Sequence, residues 1–146
     1  MRLWHYKLIP YLPQKQLVAQ WRECCCIAKN IADNGTPNHL LVNKILEYAP
    51  IHFIQYTNLI LAEMNERGYK VSETSFLNFC NNMRASALCF NDKWDSNIIK
   101  DNKIFPYWHR DRYLKQCLYN LQEKFDCNGI TYKEWIKIHN RFVDIL

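Results

Sequence analysis

Glycine and proline are scarce in this chain, with 3 and 5 residues among 146. That scarcity disfavours collagen-like and low-complexity chains and the turn-rich β-sandwiches. No run of 18 apolar residues occurs, so the sequence offers no transmembrane helix. No secretory leader is expected at this N-terminus, because Trp4, His5, Tyr6 and Lys7 interrupt any apolar core. The expected location is cytoplasmic, and no membrane partner is expected. The seven cysteines are odd in number, Cys24, Cys25 and Cys26 are consecutive, and Cys80, Cys89, Cys117 and Cys127 form no CxxC pair. That pattern suits neither a disulfide framework nor a zinc site, so reduced packing thiols and no metal are expected.

What is present is apolar and basic. A hydrophobic content of 49% is too high for a disordered chain. The length suits one domain, residues 1–146, with a single core. Lys and Arg number 19 against 14 Asp and Glu, a net charge of +5 that permits an anionic partner such as nucleic acid.

The periodicities are helical. Leu17, Trp21, Cys24, Ala28 and Ile31 recur at three- and four-residue steps, predicting a helix over 14–32 that Asn34-Gly35 terminates. Thr36-Pro37 reads as an N-cap with proline behind it, opening a helix to Tyr48. Pro50 starts the next, with Phe53, Ile54, Leu61 and Met64 inward, stopped at Gly68. Ser72 caps a mixed stretch to Phe90, and residues 91–107 read as a long irregular loop. A helix from His109 to Phe125 turns Leu114, Cys117, Leu118, Leu121 and Phe125 inward. Thr131 and Glu134 form a capping box for a last helix bearing Trp135, Ile138 and Phe142. Tyr6 to Leu12 is the one strand candidate, and Pro10 spoils it. The expected fold is all-α, four to five helices with long loops, its N-terminus packed on the first long helix.

On that first helix, steps of about 100 degrees put Glu23 roughly 240 degrees from Leu17, at the border of the apolar stripe. Ala19 and Cys26 are small neighbours that leave room for another backbone. An arbitrary helical Glu is solvated, so position alone names no function.

Several segments together carry a resemblance. Met1-Arg2-Leu3-Trp4-His5-Tyr6, Leu8-Ile9-Pro10-Tyr11-Leu12-Pro13, Gln16-Leu17 and Trp21-Arg22-Glu23-Cys24-Cys25 open the chain. Ala62-Glu63-Met64 and Arg67-Gly68-Tyr69-Lys70-Val71 follow. These resemble the pyrimidine dimer DNA glycosylase family, the endonuclease V-type repair enzymes, well over residues 1–71 and loosely over 106–138. The resemblance implies a monomeric all-α enzyme without metal or cofactor. Such an enzyme acts on double-stranded damaged DNA, flips a base opposite the lesion and cuts the glycosidic bond of a pyrimidine dimer. It then cleaves the abasic strand by β-elimination. It further implies an N-terminal α-amine nucleophile, a glutamate matching Glu23 as acid/base, and an arginine matching Arg22 that holds DNA.

The chemistry is consistent with that implication. An unperturbed α-amine has a pKa of about 7.7 to 8.0, so a useful fraction is neutral and nucleophilic at cellular pH. A neighbouring carboxylate can stabilise an oxocarbenium-like sugar and move protons during elimination. A dimerised base already stacks and pairs poorly, which eases distortion. Two features depart from the family pattern. A phage member of the family loses its initiator methionine and exposes a small residue, whereas Arg2 is large, so Met1 is expected to remain and supply the amine. The family's histidine and second arginine are replaced by Gln16 and Cys26, which touches lesion specificity more than imine chemistry.

Met1 and Glu23 are therefore the expected catalytic pair, and Arg2, Arg22, Gln16, His5, His109, Arg110 and Arg112 the expected DNA contacts. His109 with Arg110 and Arg112 would form a cationic cluster for phosphate. Two rival readings are a non-catalytic nucleic-acid-binding module of the same fold and a cysteine-dependent or metal protein using Cys24–Cys26.

Overall fold

A computed structural model describes residues 2–91 and 103–146. It is all-α, with no strand among the described residues. The long helices are α1 (Gln14–Asn34), α2 (Pro50–Glu66), α3 (Glu73–Ser86), α4 (Asp111–Asp126) and α5 (Tyr132–Phe142). Three short 3-10 helices, Tyr6–Tyr11, Val42–Glu47 and Ala87–Cys89, join them.

The apolar stripe of α1 is buried as its spacing requires, with Leu17, Trp21, Cys24, Ile27, Ala28 and Ile31 all in the core. Gly35 ends the helix at φ 78°, a left-handed conformation glycine adopts without Cβ strain, and its N–H returns to Ile31 O at 2.8 Å. α1 packs chiefly against α3 and next against α2. Phe79 of α3 sits at their junction, its ring centroid 5.6 Å from Trp21 and 5.8 Å from Phe53. Pro50 opens α2, and Gly68 at φ 79° closes it. Ser72 Oγ accepts from Ser75 N at 3.3 Å to cap α3. Thr131 and Glu134 exchange both bonds of the capping box on α5, and Trp135, Ile138 and Phe142 are buried.

Two expectations need correction. The stretch 36–48 forms no α-helix; only Val42–Glu47 is helical, as 3-10. Local side-chain bonds hold the chain in another shape: Thr36 Oγ1 accepts from Asn38 N, Asn43 Oδ1 accepts from His39 N, and Asn38 stands at φ 57°. On α2 it is His52, Tyr56 and Ile60 that join Phe53 and Met64 inside, while Ile54 and Leu61 are half-buried. Tyr6–Tyr11, the strand candidate that Pro10 was expected to spoil, is a 3-10 helix containing Pro10. Residues 92–102 of the expected loop lie outside the described residues, but Ile104, Phe105 and Trp108 after them are core.

The cysteines also divide more than expected. All seven are free thiols; Cys24 and Cys117 are buried, Cys25 and Cys80 half-buried, and Cys26, Cys89 and Cys127 exposed. No described helix is long and apolar enough to cross a membrane.

Candidate active site at the start of the first helix

The described chain begins against α1. Arg2 N donates to Glu23 Oε2 at 3.4 Å. Two residues on, Trp4 N donates to Gln20 Oε1 at 2.8 Å, and Gln20 Nε2 donates to Arg2 O at 2.8 Å. Gln20 Nε2 also donates to Glu23 Oε2 at 3.2 Å. Gln20 and Glu23 are three apart on the helix, so their side chains reach the same passing backbone. From the far side, Tyr56 OH donates to Trp4 O at 2.6 Å and Tyr113 OH donates to Leu3 O at 2.5 Å. Three carbonyls and two amides of a three-residue segment are thus held by side chains of α1, α2 and α4.

Beside this clamp lies an open cleft of ≈ 640 Å3 lined by Trp4, residues 14–16, Val18, Ala19, Gln20, Arg22, Glu23 and Lys124. Glu23 is the one carboxylate of that lining, facing three cations, Lys15, Arg22 and Lys124. Such a cleft favours a polyanion overall while keeping one proton-transfer group inside it. Glu23 is half-buried and Arg22 exposed, as the helical spacing predicts. Gln16 lines the same cleft, and its Oε1 is shielded from solvent without a hydrogen-bond partner.

Met1 lies outside the described residues. Arg2 is half-buried, and its guanidinium lies over the Trp4 ring at 5.7 Å with Nη1 4.0 Å from Cys117 Sγ. The side chain expected to meet DNA is instead turned along the protein, as an anchor for the first residues.

The two histidines are also corrected. His5 is 1% exposed and His109 6% exposed, and their rings stack at 5.0 Å. Each Nδ1 accepts a backbone N–H, from Lys7 and Tyr6 respectively, both at 3.2 Å. Burial pushes the His5 pKa down to about 4 and holds that of His109 well below the ordinary imidazole value. Neither is a surface cation at neutral pH, and the cluster expected around His109 loses its third charge. Arg110 and Arg112 are exposed, Arg110 over the Tyr107 ring at 4.9 Å, and neither lines the cleft.

Sequence reasoning missed Gln20, Tyr56, Tyr113 and Lys124. Gln20 carried a signal, a long polar side chain on the same side of α1 as Leu17, Trp21 and Cys24. The tyrosines carried none, since they read as ordinary core aromatics. Among the described residues no three His, Cys, Asp or Glu side chains form a group able to hold a metal ion. Cys24, Cys25 and Cys26 fan outward around the helix from core to solvent. Burial raises the Cys24 thiol pKa far above its usual value and pushes that of Cys25 up to about 11, so neither is a ready thiolate.

The model of the family described as pyrimidine dimer DNA glycosylase matches residues 1–76. That stretch holds every residue lining the cleft except Lys124. No curated protein and no solved structure matches the chain.

Proposed function

Since the chain belongs to the pyrimidine dimer DNA glycosylase family, we propose that it excises pyrimidine dimers from double-stranded DNA and then cuts the abasic strand as a lyase, acting as a single-domain monomer. The observation that carries this reading is the bond from Arg2 N to Glu23 Oε2 at the rim of a cation-lined cleft. It brings Arg2 N, one residue from the proposed amine, beside a carboxylate.

In this reading the α-amine of Met1 attacks C1′ of the damaged nucleotide. The N–C1′ bond forms as the glycosidic bond breaks, and its electron pair leaves with the base. As the sugar ring opens, the C1′–O4′ bond breaks and the attacking nitrogen passes one proton to O4′, giving a protonated imine that Glu23 stabilises by charge. Glu23 then takes the C2′ proton, and the electron pair released expels the 3′ phosphate by β-elimination. Arg22, Lys15 and Lys124 hold phosphates of the bound strand, because the cleft gathers them on its edges. Gln16 offers its unpaired Oε1 to a donor of the nucleotide.

A second reading is favoured by the same bond. If Met1 is removed from the mature protein, the nitrogen already hydrogen-bonded to Glu23 becomes the amine itself. Intact mass separates the two, because only one of them retains Met1.

Borohydride reduction in the presence of abasic-site DNA tests both. A covalent complex is expected, with the sugar remnant on the N-terminal amine in a peptide digest. Glu23→Gln is expected to lower strand cleavage by about 100-fold or more, the scale of losing a positioned acid/base. A free N-terminal amine that gives no adduct, or a Glu23→Gln protein as active as the parent, overturns the enzymatic reading. Salt-sensitive DNA binding without either activity would leave a binding module.

A further inference from the structure

We propose that Gln20 is a positioning residue for the reaction, holding the chain's first residues and the Glu23 carboxylate in one fixed geometry. The inference rests on the enzymatic reading above and names a residue that reading does not require.

The Gln20 side chain is 1% exposed, yet it borders the cleft. Its amide has two acceptor lone pairs and two donor hydrogens, and three of the four have a partner of their own. Oε1 accepts from Trp4 N at 2.8 Å; Tyr56 OH lies 3.0 Å away, but its one hydrogen goes to the nearer Trp4 O at 2.6 Å. Nε2 donates to Arg2 O at 2.8 Å and to Glu23 Oε2 at 3.2 Å. The partners leave no freedom in the amide's orientation. An N–H of Trp4 needs an acceptor, and a carbonyl with a carboxylate needs a donor. Rotating the amide by half a turn would set two acceptors against Oε1 and a donor against the NH2 group.

This is more than a satisfied core amide. A purely structural glutamine would end on backbone or hydroxyl groups. One arm of this one ends on the proposed acid/base, and two others grip the segment that carries the proposed nucleophile. Lateral slippage of either partner by a fraction of an ångström therefore passes through one buried side chain. Misplacement of this size is costly to reactions that depend on near-attack geometry. Neither an apolar residue nor a carboxylate can replace it, since the first makes none of these bonds and the second lacks the donor.

The test uses the full-length protein and two variants, Gln20→Met and Gln20→Glu, each shown to be folded at the assay temperature. Four quantities are read: kcat and KM for abasic-strand cleavage, Kd for uncleaved DNA, and hydrogen exchange of the Trp4 amide. In Gln20→Met, Trp4 exchange is expected to accelerate about tenfold as its acceptor disappears. In the same variant kcat is expected to fall by about 10- to 100-fold while Kd stays within about twofold. Gln20→Glu keeps the acceptor, so Trp4 stays protected, yet kcat is expected to fall because the donor to Glu23 is gone. A role confined to stability predicts instead that both variants keep the parental kcat once folded, and that result overturns the proposal alone. A parent protein that neither cleaves nor is trapped overturns the enzymatic reading, and the positioning role falls with it.

Discussion

Glu23 and Arg22 are adjacent in sequence but occupy different environments, and the helix is the reason. A turn of about 100 degrees places one against the passing backbone and the other in solvent. In the proposed function they therefore differ in kind. Glu23 acts on reacting atoms, while Arg22 supplies charge to a phosphate. Arg22→Ala is expected to weaken DNA binding across sequences and to reduce the slope of log Kd against log salt by about one, with little effect on kcat. Titration of fluorescent duplex DNA at several salt concentrations checks it. An unchanged slope would mean Arg22 contacts no phosphate. Their placement was readable from the sequence because helical spacing depends only on residue number. The burial of His5 and His109 was not, because it depends on the two rings stacking on each other from far apart in the chain, with Tyr113 against both.

Helices α1 and α5 lay open in the sequence because their signals are local. Their apolar residues repeat at helical steps, and their stops and caps sit within four residues of the ends. The capping box of α5 satisfies two N-terminal donors with two side chains. Thr131→Ala removes one of those bonds and is expected to destabilise the protein by about 1 kcal/mol. Urea denaturation followed by circular dichroism measures it, and a shift within experimental error would show that the cap contributes nothing. The stretch 36–48 failed as a prediction for a related reason. Thr36, His39 and Asn43 offer the backbone hydrogen bonds that compete with an α-helix, and the Thr-Pro signal does not show which set prevails.

At the level of the assembled fold, a stacked and largely buried set of rings joins the first residues to the start of α4. His5 and His109 stack, and Tyr6 lies parallel to His109 with ring centroids 5.9 Å apart. Burial keeps both imidazoles neutral, which ties stability to pH. Above the ordinary histidine pKa both are neutral in the folded and unfolded chain alike, so titration costs nothing. Below it the unfolded chain binds protons that folded His5 refuses until about pH 4, and folded His109 also refuses well below its ordinary value. Stability is therefore lost as pH falls through that window, by about 2 kcal/mol at pH 5 for His5, with His109 acting in the same direction. Denaturant midpoints at pH 7 and pH 5 test this, and equal midpoints would show that the pair is not buried and neutral. The clamp on residues 2–4 belongs to the same level, for Gln20, Tyr56 and Tyr113 converge on it from three helices. The helical class, the capped ends, the apolar stripe of α1 and the border position of Glu23 were legible in the residues alone, because each depends on neighbours within a few positions. The clamp, the neutral histidines and the inward turn of Arg2 arose only on folding. Each depends on partners up to 115 residues away, which no periodicity records.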